Sequence, residues 1–340
     1  MGRQEAESEN YRSTSGYPKV SIVVPFYKLR STYLEECIQH CLELDYPDFE
    51  VIVVSNVPYE TNDPRIRSIV TDMLSQGEKD DVGIEKSSGE ICAFINDDAY
   101  PRHDWLRNAV KYFQDSSVGA VGGPGLTPDN DSLMQKASGA VYASYLGAGF
   151  ASYKCSVPKA PRYIDDSPGH NLIVRKNLLE RVGGFGTSFR SGEDTALSLK
   201  IVNAGKKILY APDVVVFHHR KPLFRAHMKQ AKSCGTHRGY YAKKFSQTSL
   251  RIWYFLPTLL VFSLVMIMGA LLLSPSIAWP LLFLSIAYLL FAFTSCLLAT
   301  KNLKIALLYP AAVLATHIAY GVGFVQGLMT FDENRLRWEE

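Results

Sequence analysis

Three long apolar stretches near the carboxyl-terminal end restrict this chain more than any other feature. None of them contains Lys, Arg, Asp or Glu, and they cover residues 252–273, 277–299 and 305–329. Each has about 22–25 residues, enough for a helix to cross ~30 Å of hydrocarbon. Trp253, Tyr254 and Trp279 lie near their ends, where aromatic side chains anchor a helix at the membrane surface. We therefore predict three transmembrane helices within residues 252–330.

Basic residues are distributed unevenly around these stretches. Lys301 and Lys304 lie between the second and third stretches, and the segment before the first stretch is also rich in Lys and Arg. The connector 274–276 has neither residue type. Because cytoplasmic loops carry the excess of Lys and Arg, we predict a multi-pass protein of the cell (plasma) membrane with a cytoplasmic amino-terminal domain. The tail 331–340 is then expected on the outer side.

Residues 221–251, just before the apolar stretches, alternate basic and aromatic side chains. Among them are Arg225, Lys229, Lys232, Tyr240 and Tyr241. This composition predicts an amphipathic helical segment that lies on an anionic membrane surface, so the bilayer is one expected partner. A solvated basic linker is the alternative.

Residues 19–220 have the pattern of a soluble α/β domain. Strand-like runs at 20–25 and 50–55 flank a segment whose apolar residues recur at helical spacing. Strand, helix and strand in about 35 residues form a βαβ unit, which implies a parallel sheet. Residues 1–18 are polar and lack the apolar core of a signal peptide, so we expect a disordered leader there.

Charge and cysteine content narrow the possible functions. The formal net charge is only +3, so charge does not suggest a nucleic-acid partner. The six cysteines are scattered, and none of their spacings matches a zinc site. Free, scattered cysteines are typical of a protein domain in a reducing compartment.

An acidic triplet, Asn96-Asp97-Asp98, directly follows an apolar, strand-like run at residues 91–95. Open α/β sheets bind ligands at the carboxyl ends of their strands. Adjacent carboxylates repel each other, and a divalent cation such as Mg²⁺ or Mn²⁺ would explain why they are neighbours. The alternative is a strand followed by a solvated acidic turn.

Several motifs of the soluble part, in this order, resemble those of the family 2 glycosyltransferases with a GT-A fold. They are Val20-Ser-Ile-Val-Val-Pro-Phe-Tyr, Phe49-Glu-Val-Ile-Val-Val, Ser88-Gly-Glu-Ile-Cys-Ala-Phe-Ile-Asn-Asp-Asp, Asn171-Leu-Ile-Val-Arg-Lys, Val182-Gly-Gly-Phe-Gly and Gly192-Glu-Asp-Thr. The resemblance covers roughly residues 19–220. It implies a GT-A catalytic domain, Rossmann-like with a mostly parallel sheet, ahead of the interfacial segment and the three transmembrane helices.

The resemblance assigns the acidic triplet to the DxD motif, which in this family holds a divalent metal against the donor's diphosphate. It implies that Asp98 and Asn96 are metal ligands, with Asn96 standing where the first aspartate usually is. It also implies that Asp97 contacts the sugar or ribose. The expected cofactor is Mn²⁺ or Mg²⁺.

In relatives a histidine after the last strand contacts the metal or the diphosphate. His218 and His219 occupy this place here, and we predict that His219 is the ligand, since imidazole is acceptable to manganese. Arg220 is predicted to offset the charge of the diphosphate.

The nucleotide site departs from the family pattern. Ser55 stands where an aspartate usually ends the second strand, and Lys79 begins a run that reads Arg-Asn in many relatives. Pro25, Tyr27, Ser55 and Lys79 are candidates for the nucleotide pocket by position. The donor is expected to be a nucleotide sugar of UDP or GDP type, with the base left open.

Glu193 and Asp194 begin a run with helical spacing. Acidic residues at a helix start often only complement the helix dipole. The resemblance instead implies the family's ED motif, in which Asp194 is the general base of an inverting transfer and Glu193 orients it or the acceptor.

Together these features predict a membrane-anchored, metal-dependent, inverting glycosyltransferase with a lipid-linked acceptor, either a polyprenyl phosphate or a glycolipid. The chain lacks a QxxRW motif, which disfavours a processive polysaccharide synthase. The sequence is also compatible with a catalytically degenerate membrane scaffold of the same fold or with a transporter subunit.

Overall fold

The computed structural model describes residues 16–27, 31–273 and 275–337. The strands in these ranges are β1 Val20–Phe26, β2 Phe49–Ser55, β3 Ile66–Val70, β4 Ile91–Phe94, β5 Ala99–Pro101, β6 Val118–Gly122, β7 Gly125–Leu126, β8 Arg162–Ile164, β9 Leu172–Arg175, β10 Lys207–Tyr210 and β11 Val216–His218. The α-helices are α1 Ser31–Leu42, α2 Gln76–Lys86, α3 Trp105–Val110, α4 Leu133–Ala143, α5 Tyr145–Ala148, α6 Lys176–Val182, α7 Glu193–Asn203, α8 Arg225–Lys244, α9 Ser246–Ser249, α10 Ile252–Leu273, α11 Pro275–Thr300 and α12 Leu303–Met329. The predicted disordered leader falls mostly on residues 1–15, outside the described residues.

An eight-stranded sheet forms the centre of the soluble domain, in the order β3-β2-β1-β4-β9-β6-β10-β8. Strands β3, β2, β1 and β4 are parallel, as the βαβ pattern predicts. Strand β9 runs antiparallel to both neighbours, β4 and β6, so the sheet as a whole is mixed. The predicted α/β class is confirmed.

The two faces of the sheet bury different helices. Val20, Ile22 and Val24 of β1 point to one face and join Leu34 and other apolar residues of α1. Val23 points to the opposite face, where helices α2, α6 and α7 pack. This alternation follows from the two-residue period of a strand. It explains why a nearly continuous apolar run is needed in a strand covered on both sides.

A second, three-stranded sheet positions the acidic triplet. Its order is β5-β11-β7. Strand β5 begins directly after Asp98, and its first residue, Ala99, pairs with His218 at the end of β11. The pairing brings residues about 120 positions apart in sequence to the same edge, next to the carboxyl end of β4.

The three apolar stretches form helices α10, α11 and α12, each long and apolar enough to cross a membrane. This confirms the prediction of three candidate membrane helices. They differ in how much the protein covers them: 6% of the most apolar part of α10 is buried, 11% of that of α11 and 44% of that of α12. Helix α12 thus has more extensive contacts with the rest of the chain than the other two.

The tail that follows α12 contacts the soluble domain. Arg337 pairs with Phe189 of the soluble domain in a short β-bridge. The backbone N–H of Arg190 donates to the carbonyl of Leu336 at 3.0 Å. These contacts disagree with the expectation that the tail and the soluble domain lie on opposite sides of a membrane, and that expectation stays a prediction.

Candidate active site

Asp194 lies in the first turn of α7, and backbone N–H groups hold both of its carboxylate oxygens. Gly169 donates to Oδ2 at 3.0 Å and Thr195 donates to Oδ1 at 2.8 Å. The helix begins after Gly192, whose φ of 86° lies in the left-handed region that favours glycine. A side chain there would also meet the ring of Tyr241. The loop before α7 thus orients the predicted base from the backbone.

Glu193 and Asp194 both lie near Gly169. Glu193 also packs against Gly77 of α2, with Asp80 nearby. Burial raises the pKa of Glu193 to about 8, and the charge of Asp194 adds to this. Burial also raises the pKa of Asp194, which Lys154 partly opposes. A carboxylate whose pKa is raised binds a proton more readily, and a general base requires this property.

A buried ionic cluster, which sequence reasoning did not identify, lies behind Asp194. Asp166 accepts hydrogen bonds from Lys154 at 3.0 Å, from Arg238 at 2.9 Å and from the hydroxyl of Thr195 at 2.8 Å. Burial opposes the ionisation of Asp166, but the two cations outweigh it and hold its pKa well below the usual range. The two cations and the carboxylate of this cluster lie close to Asp194 and interact with it.

Asp98 is buried and contacts the ammonium of Lys221 and the imidazole of His218. Its Oδ2 accepts from the ammonium of Lys221 at 2.7 Å, and its Oδ1 lies 3.2 Å from Nε2 of His218. Burial alone would favour the protonated carboxyl group. The interactions with His218 and Lys221 outweigh that effect and hold the pKa of Asp98 far below its usual range. The structure therefore brings His218, and not the predicted His219, to the DxD carboxylate.

The ring of His219 points elsewhere. Its Nδ1 lies 2.5 Å from Asp131 and its Nε2 lies 2.8 Å from Glu36, and the ring stacks on that of Tyr33. Only its backbone N–H meets the triplet, by donating to the carbonyl of Asp98 at 2.9 Å. The side chain of His219 thus connects Glu36 of α1 to Asp131, which lies just before α4.

Arg220 is also buried among protein groups. Its guanidinium donates to the carbonyl of Gly125 and to the hydroxyl of Thr127, and it lies 3.1 Å from Nδ1 of His218. In this arrangement Arg220 supports His218 from behind, and its donors are directed at the protein.

The other predicted donor-binding residues gather around the ends of β1 and β4. Lys79 is fully buried, donates to the carbonyl of Phe26 at 2.7 Å, and lies 3.6 Å from the centre of the Tyr27 ring. Burial lowers the pKa of Lys79 to about 8, which Asp97 partly opposes. Lys79, Tyr27 and Asp97 therefore share one region. Asn96 accepts a hydrogen bond from Gln76 at 2.9 Å.

Pro25 and Ser55 belong to the sheet itself. Both are buried, Pro25 within β1 and Ser55 at the end of β2. The hydroxyl of Ser55 donates to the carbonyl of Val57, so it stabilises the turn that leaves the strand. Their place at the carboxyl ends of parallel strands agrees with the predicted nucleotide pocket, but neither makes a contact that tests that role.

A short segment connects the two acidic sites. Gly169 donates to Asp194, and the ring of the next residue, His170, lies 4.4 Å from that of His218. His218 in turn contacts Asp98. The segment Gly169–Asn171 therefore separates the predicted base from the predicted metal ligand by only a few side chains, as a transfer between two bound substrates requires.

A cavity of about 580 Å³ extends from Asp194 towards the apolar helices. Lys154, Asp166 and Arg238 line its polar end. The opposite end is lined by apolar and aromatic side chains of the carboxyl-terminal helices: Trp253, Tyr254, Leu256, Leu260, Tyr288 and Tyr320. The cavity thus joins a carboxylate with a raised pKa to a surface that suits a hydrocarbon chain.

The predicted divalent-metal site lies at Asp98 and the histidine beside it. Among the residues that the structure describes, no three His, Cys, Asp or Glu side chains converge on a metal position. An aspartate oxygen and an imidazole nitrogen are both acceptable ligands for manganese. In this structure, both oxygens of Asp98 and both ring nitrogens of His218 contact protein groups, so either residue would have to exchange such a contact to hold a metal.

Comparisons with known proteins identify the family and the fold of this chain. The model of a family described as "Glycosyl transferase family group 2" matches residues 91–297. The chain is 27% identical over 230 residues to glycosyltransferase AglE of Haloferax volcanii, covering 64% of this chain and 72% of AglE. It is 22% identical over 330 residues to a Methanococcus voltae enzyme, covering 91% of this chain and 97% of the enzyme. That enzyme's name is dolichyl N-acetyl-alpha-D-glucosaminyl phosphate 3-beta-D-2,3-diacetamido-2,3-dideoxy-beta-D-glucuronosyltransferase.

One solved structure has the same fold over nearly the whole chain. It is the mannosyltransferase PcManGT of Pyrobaculum calidifontis, in complex with GDP-Man and Mn²⁺. The two chains are 24% identical and superpose with a TM-score of 0.55, covering 92% of this chain and 87% of that one. The predicted GT-A architecture is thereby confirmed.

Proposed function

Because this chain belongs to glycosyl transferase family group 2, we propose that it is a membrane-anchored, inverting glycosyltransferase. It would move a sugar from a nucleotide-activated donor to a lipid-linked acceptor. The observation that carries this proposal is the cavity that connects Asp194 to α10 and α11. An acceptor with a hydrocarbon tail and a polar head matches the two ends of that cavity.

Asp194 is the proposed general base. The N–H groups of Gly169 and Thr195 fix the carboxylate, which faces the same cavity as the acceptor. When a hydroxyl of the lipid-linked sugar attacks the anomeric carbon of the donor, the proton of that hydroxyl passes to Asp194. The bond from the sugar to the diphosphate breaks on the opposite face, so the anomeric configuration inverts.

The ionic cluster behind Asp194 favours an acceptor with a phosphate. Lys154 and Arg238 both line the cavity, and Asp166 pairs with both of them. An arginine and a lysine side by side are suited to a phosphate group. The name of the Methanococcus voltae enzyme contains a dolichyl N-acetyl-alpha-D-glucosaminyl phosphate, which agrees with an acceptor whose sugar is linked to the lipid through phosphate.

Asp98 and His218 are the residues that would hold the divalent metal, and His218 replaces His219 in this role. A metal bound there would offset the negative charge of the departing diphosphate. The GDP-Man and Mn²⁺ in the Pyrobaculum calidifontis structure support a donor of this type. Lys79, Tyr27 and Asp97 lie beside the triplet on the proposed donor side. With a donor made in the cytosol, the soluble domain would face the cytoplasm.

The test uses the full-length protein purified in detergent. Thermal unfolding is measured with UDP, GDP and other nucleoside diphosphates, each with Mn²⁺ or with EDTA. A ligand that binds the folded state raises the melting temperature, and we expect one diphosphate to do so more strongly with Mn²⁺. The matching nucleotide sugars are then offered with a sugar linked to a polyprenyl phosphate, and the anomeric configuration of the product is measured by NMR.

The result separates a transferase from a scaffold. A product with inverted configuration supports the transferase. If a diphosphate binds but neither donor hydrolysis nor transfer is detected with any nucleotide sugar, the chain is a degenerate scaffold of this fold. If no diphosphate stabilises the protein, the assignment of the donor site is wrong.

A further inference from the structure

Helix α12 contacts the soluble domain near both of its ends. Near its beginning, Tyr309 donates a hydrogen bond to Ser144, which follows α4. In its middle, Nε2 of His317 lies 2.8 Å from the carbonyl of Leu146 in α5. Beyond its end, Leu336 accepts the hydrogen bond from Arg190. A helix of 27 residues is about 40 Å long, so one soluble domain follows it over a distance greater than the thickness of the hydrocarbon layer.

Glycine residues allow α8 to lie directly against the second half of α12. A Cβ on Gly235 or Gly239 of α8 would collide with the backbone of α12 at Tyr320 or Phe324. A Cβ on Gly327 of α12 would likewise collide with α8. Helix α8 follows the last strand of the soluble domain and carries exposed charges along its length. A charged helix packed backbone to backbone on α12 places that half of α12 outside the hydrocarbon.

A polar connection in the middle of α12 supports the same placement. The hydroxyl of Thr316 lies 2.7 Å from Nε2 of His227 in α8, and Nδ1 of His227 lies 2.7 Å from the hydroxyl of Ser138 in α4. Three helices thus share one buried hydrogen-bonded row. If α12 crossed the bilayer, these three hydrogen-bonded side chains would lie near the centre of the bilayer. Helix α4 of the soluble domain, which carries Ser138, would then also have to lie within the hydrocarbon.

Helix α12 meets the other two apolar helices at one end of each. Its Gly321 packs on Pro257, and the carbonyl of Gly321 accepts from Thr258, both close to the start of α10. Its Tyr309 shares a buried cluster with Ala292 and Cys296, close to the end of α11. These ends are the ones nearest the soluble domain, since α10 follows it in sequence and α11 leads into α12.

We propose that α10 and α11 alone cross the bilayer, as a hairpin, and that α12 lies along the membrane surface beneath the soluble domain. Its partner is the lipid surface from which the hairpin emerges. The face of α12 turned away from the protein is apolar and exposed: Leu303, Leu307, Ile318, Val322 and Met329. Lys301 and Lys304 at its start are exposed as well and suit anionic head groups. Both ends of the described chain then lie on one side.

Membrane depth distinguishes this arrangement from three crossings. In the full-length protein lacking Cys155 and Cys234, a nitroxide is attached in turn through Leu307→Cys, Ile318→Cys and Met329→Cys. After reconstitution in vesicles, its depth is measured from collisional relaxation by oxygen and a nickel chelate. We expect the same shallow depth at all three positions, within roughly 10 Å of the head-group boundary. Phe262→Cys, exposed in the middle of α10, is the control and should be deep.

The opposite pattern overturns the proposal: Ile318 as deep as Phe262, with the two outer positions shallow. Sidedness provides a second measurement on folded protein. Asn334→Cys, Ser276→Cys and Glu85→Cys are all at exposed positions and are labelled with an impermeant maleimide in sealed vesicles of either orientation. We expect Asn334 to react from the same side as Glu85 and Ser276 from the other. Labelling of the Asn334→Cys and Ser276→Cys variants from the same side would mean that all three helices cross the bilayer. Neither experiment depends on transfer activity.

Discussion

Asp98 and Asp194 are both largely removed from water, yet their surroundings favour opposite protonation states. Asp98 contacts His218 and Lys221, and these interactions hold its pKa far below the usual range against the effect of burial. Asp194 contacts mainly backbone N–H groups, so burial dominates and raises its pKa. Neighbouring charge, and not burial alone, decides the sign of the shift. The first carboxylate is suited to a permanent charge and the second to taking up a proton.

The largest expected effect comes from removing the proton acceptor. Asp194→Asn keeps the shape of the side chain but cannot take the acceptor's proton, so we expect kcat to fall roughly 10²–10⁴-fold. Donor affinity should change little, because Asp194 faces the acceptor cavity. Steady-state kinetics separates the two constants. Asp165→Asn, next to the ionic cluster, is the matched control. A near-normal kcat for Asp194→Asn with an inactive Glu193→Gln would assign the base to Glu193.

Asp98→Asn tests the other side of the comparison. Loss of the charged ligand should weaken the binding of nucleoside diphosphate in the presence of Mn²⁺ by ~10–100-fold, the range typical of disturbed metal sites. Thermal shift or calorimetry with the diphosphate, with and without EDTA, measures it. We expect EDTA to weaken the binding of the diphosphate to the parent protein but not to the Asp98→Asn variant. Equal affinity of the parent protein under both conditions would contradict a metal at Asp98.

The raised pKa of Asp194 predicts a pH dependence. Only the deprotonated carboxylate accepts a proton, so kcat should fall as the pH is lowered through this pKa, by about tenfold per unit below it. The fall should begin at a higher pH than for an ordinary aspartate. Lys154 and Asp166 face the same group and shift it in opposite directions. A kcat that stays constant down to the usual range of aspartate would show that Asp194 does not limit the rate.

Lys221→Met should give the smallest effect, and its sign is informative. Lys221 is partly exposed, and a pair of this kind contributes up to about 1 kcal/mol, or about fivefold in an equilibrium constant. If Lys221 competes with the metal for Asp98, the variant needs up to about fivefold less Mn²⁺ for half-maximal stabilisation. A larger Mn²⁺ requirement would show that Lys221 instead binds the donor. Lys111→Met, which removes a similar pair with Asp213, is the control.

Local patterns in the sequence predict those parts of the site that a single element positions. Asp98 after β4 and Asp194 at the start of α7 lie where the strand and helix patterns place them. The choice between His218 and His219 depends on how β11 pairs with β5. No local pattern records a pairing between residues about 120 positions apart, so the sequence could not decide it.

The ionic cluster and the position of α12 depend on packing in the same way. Asp166 is not part of a recognisable sequence motif. Its ion pairs are with Lys154 and Arg238, which come from other parts of the chain. Hydropathy identifies α12 as long and apolar but does not distinguish a helix in lipid from one covered by protein. The sequence does contain one signal of close helix packing, the two glycines four residues apart in α8, Gly235 and Gly239.

The glycine contact between α8 and α12 also has a consequence for biogenesis. Helix α8 is synthesised before the α10–α11 hairpin, and α12 after it. During translation, the glycine face of α8 and the polar row at His227 must therefore remain uncovered until both helices of the hairpin have been made. On the topology proposed above, completion of the contact between α8 and α12 is thus coupled to membrane insertion, and a nascent chain whose hairpin fails to insert would also lack that contact.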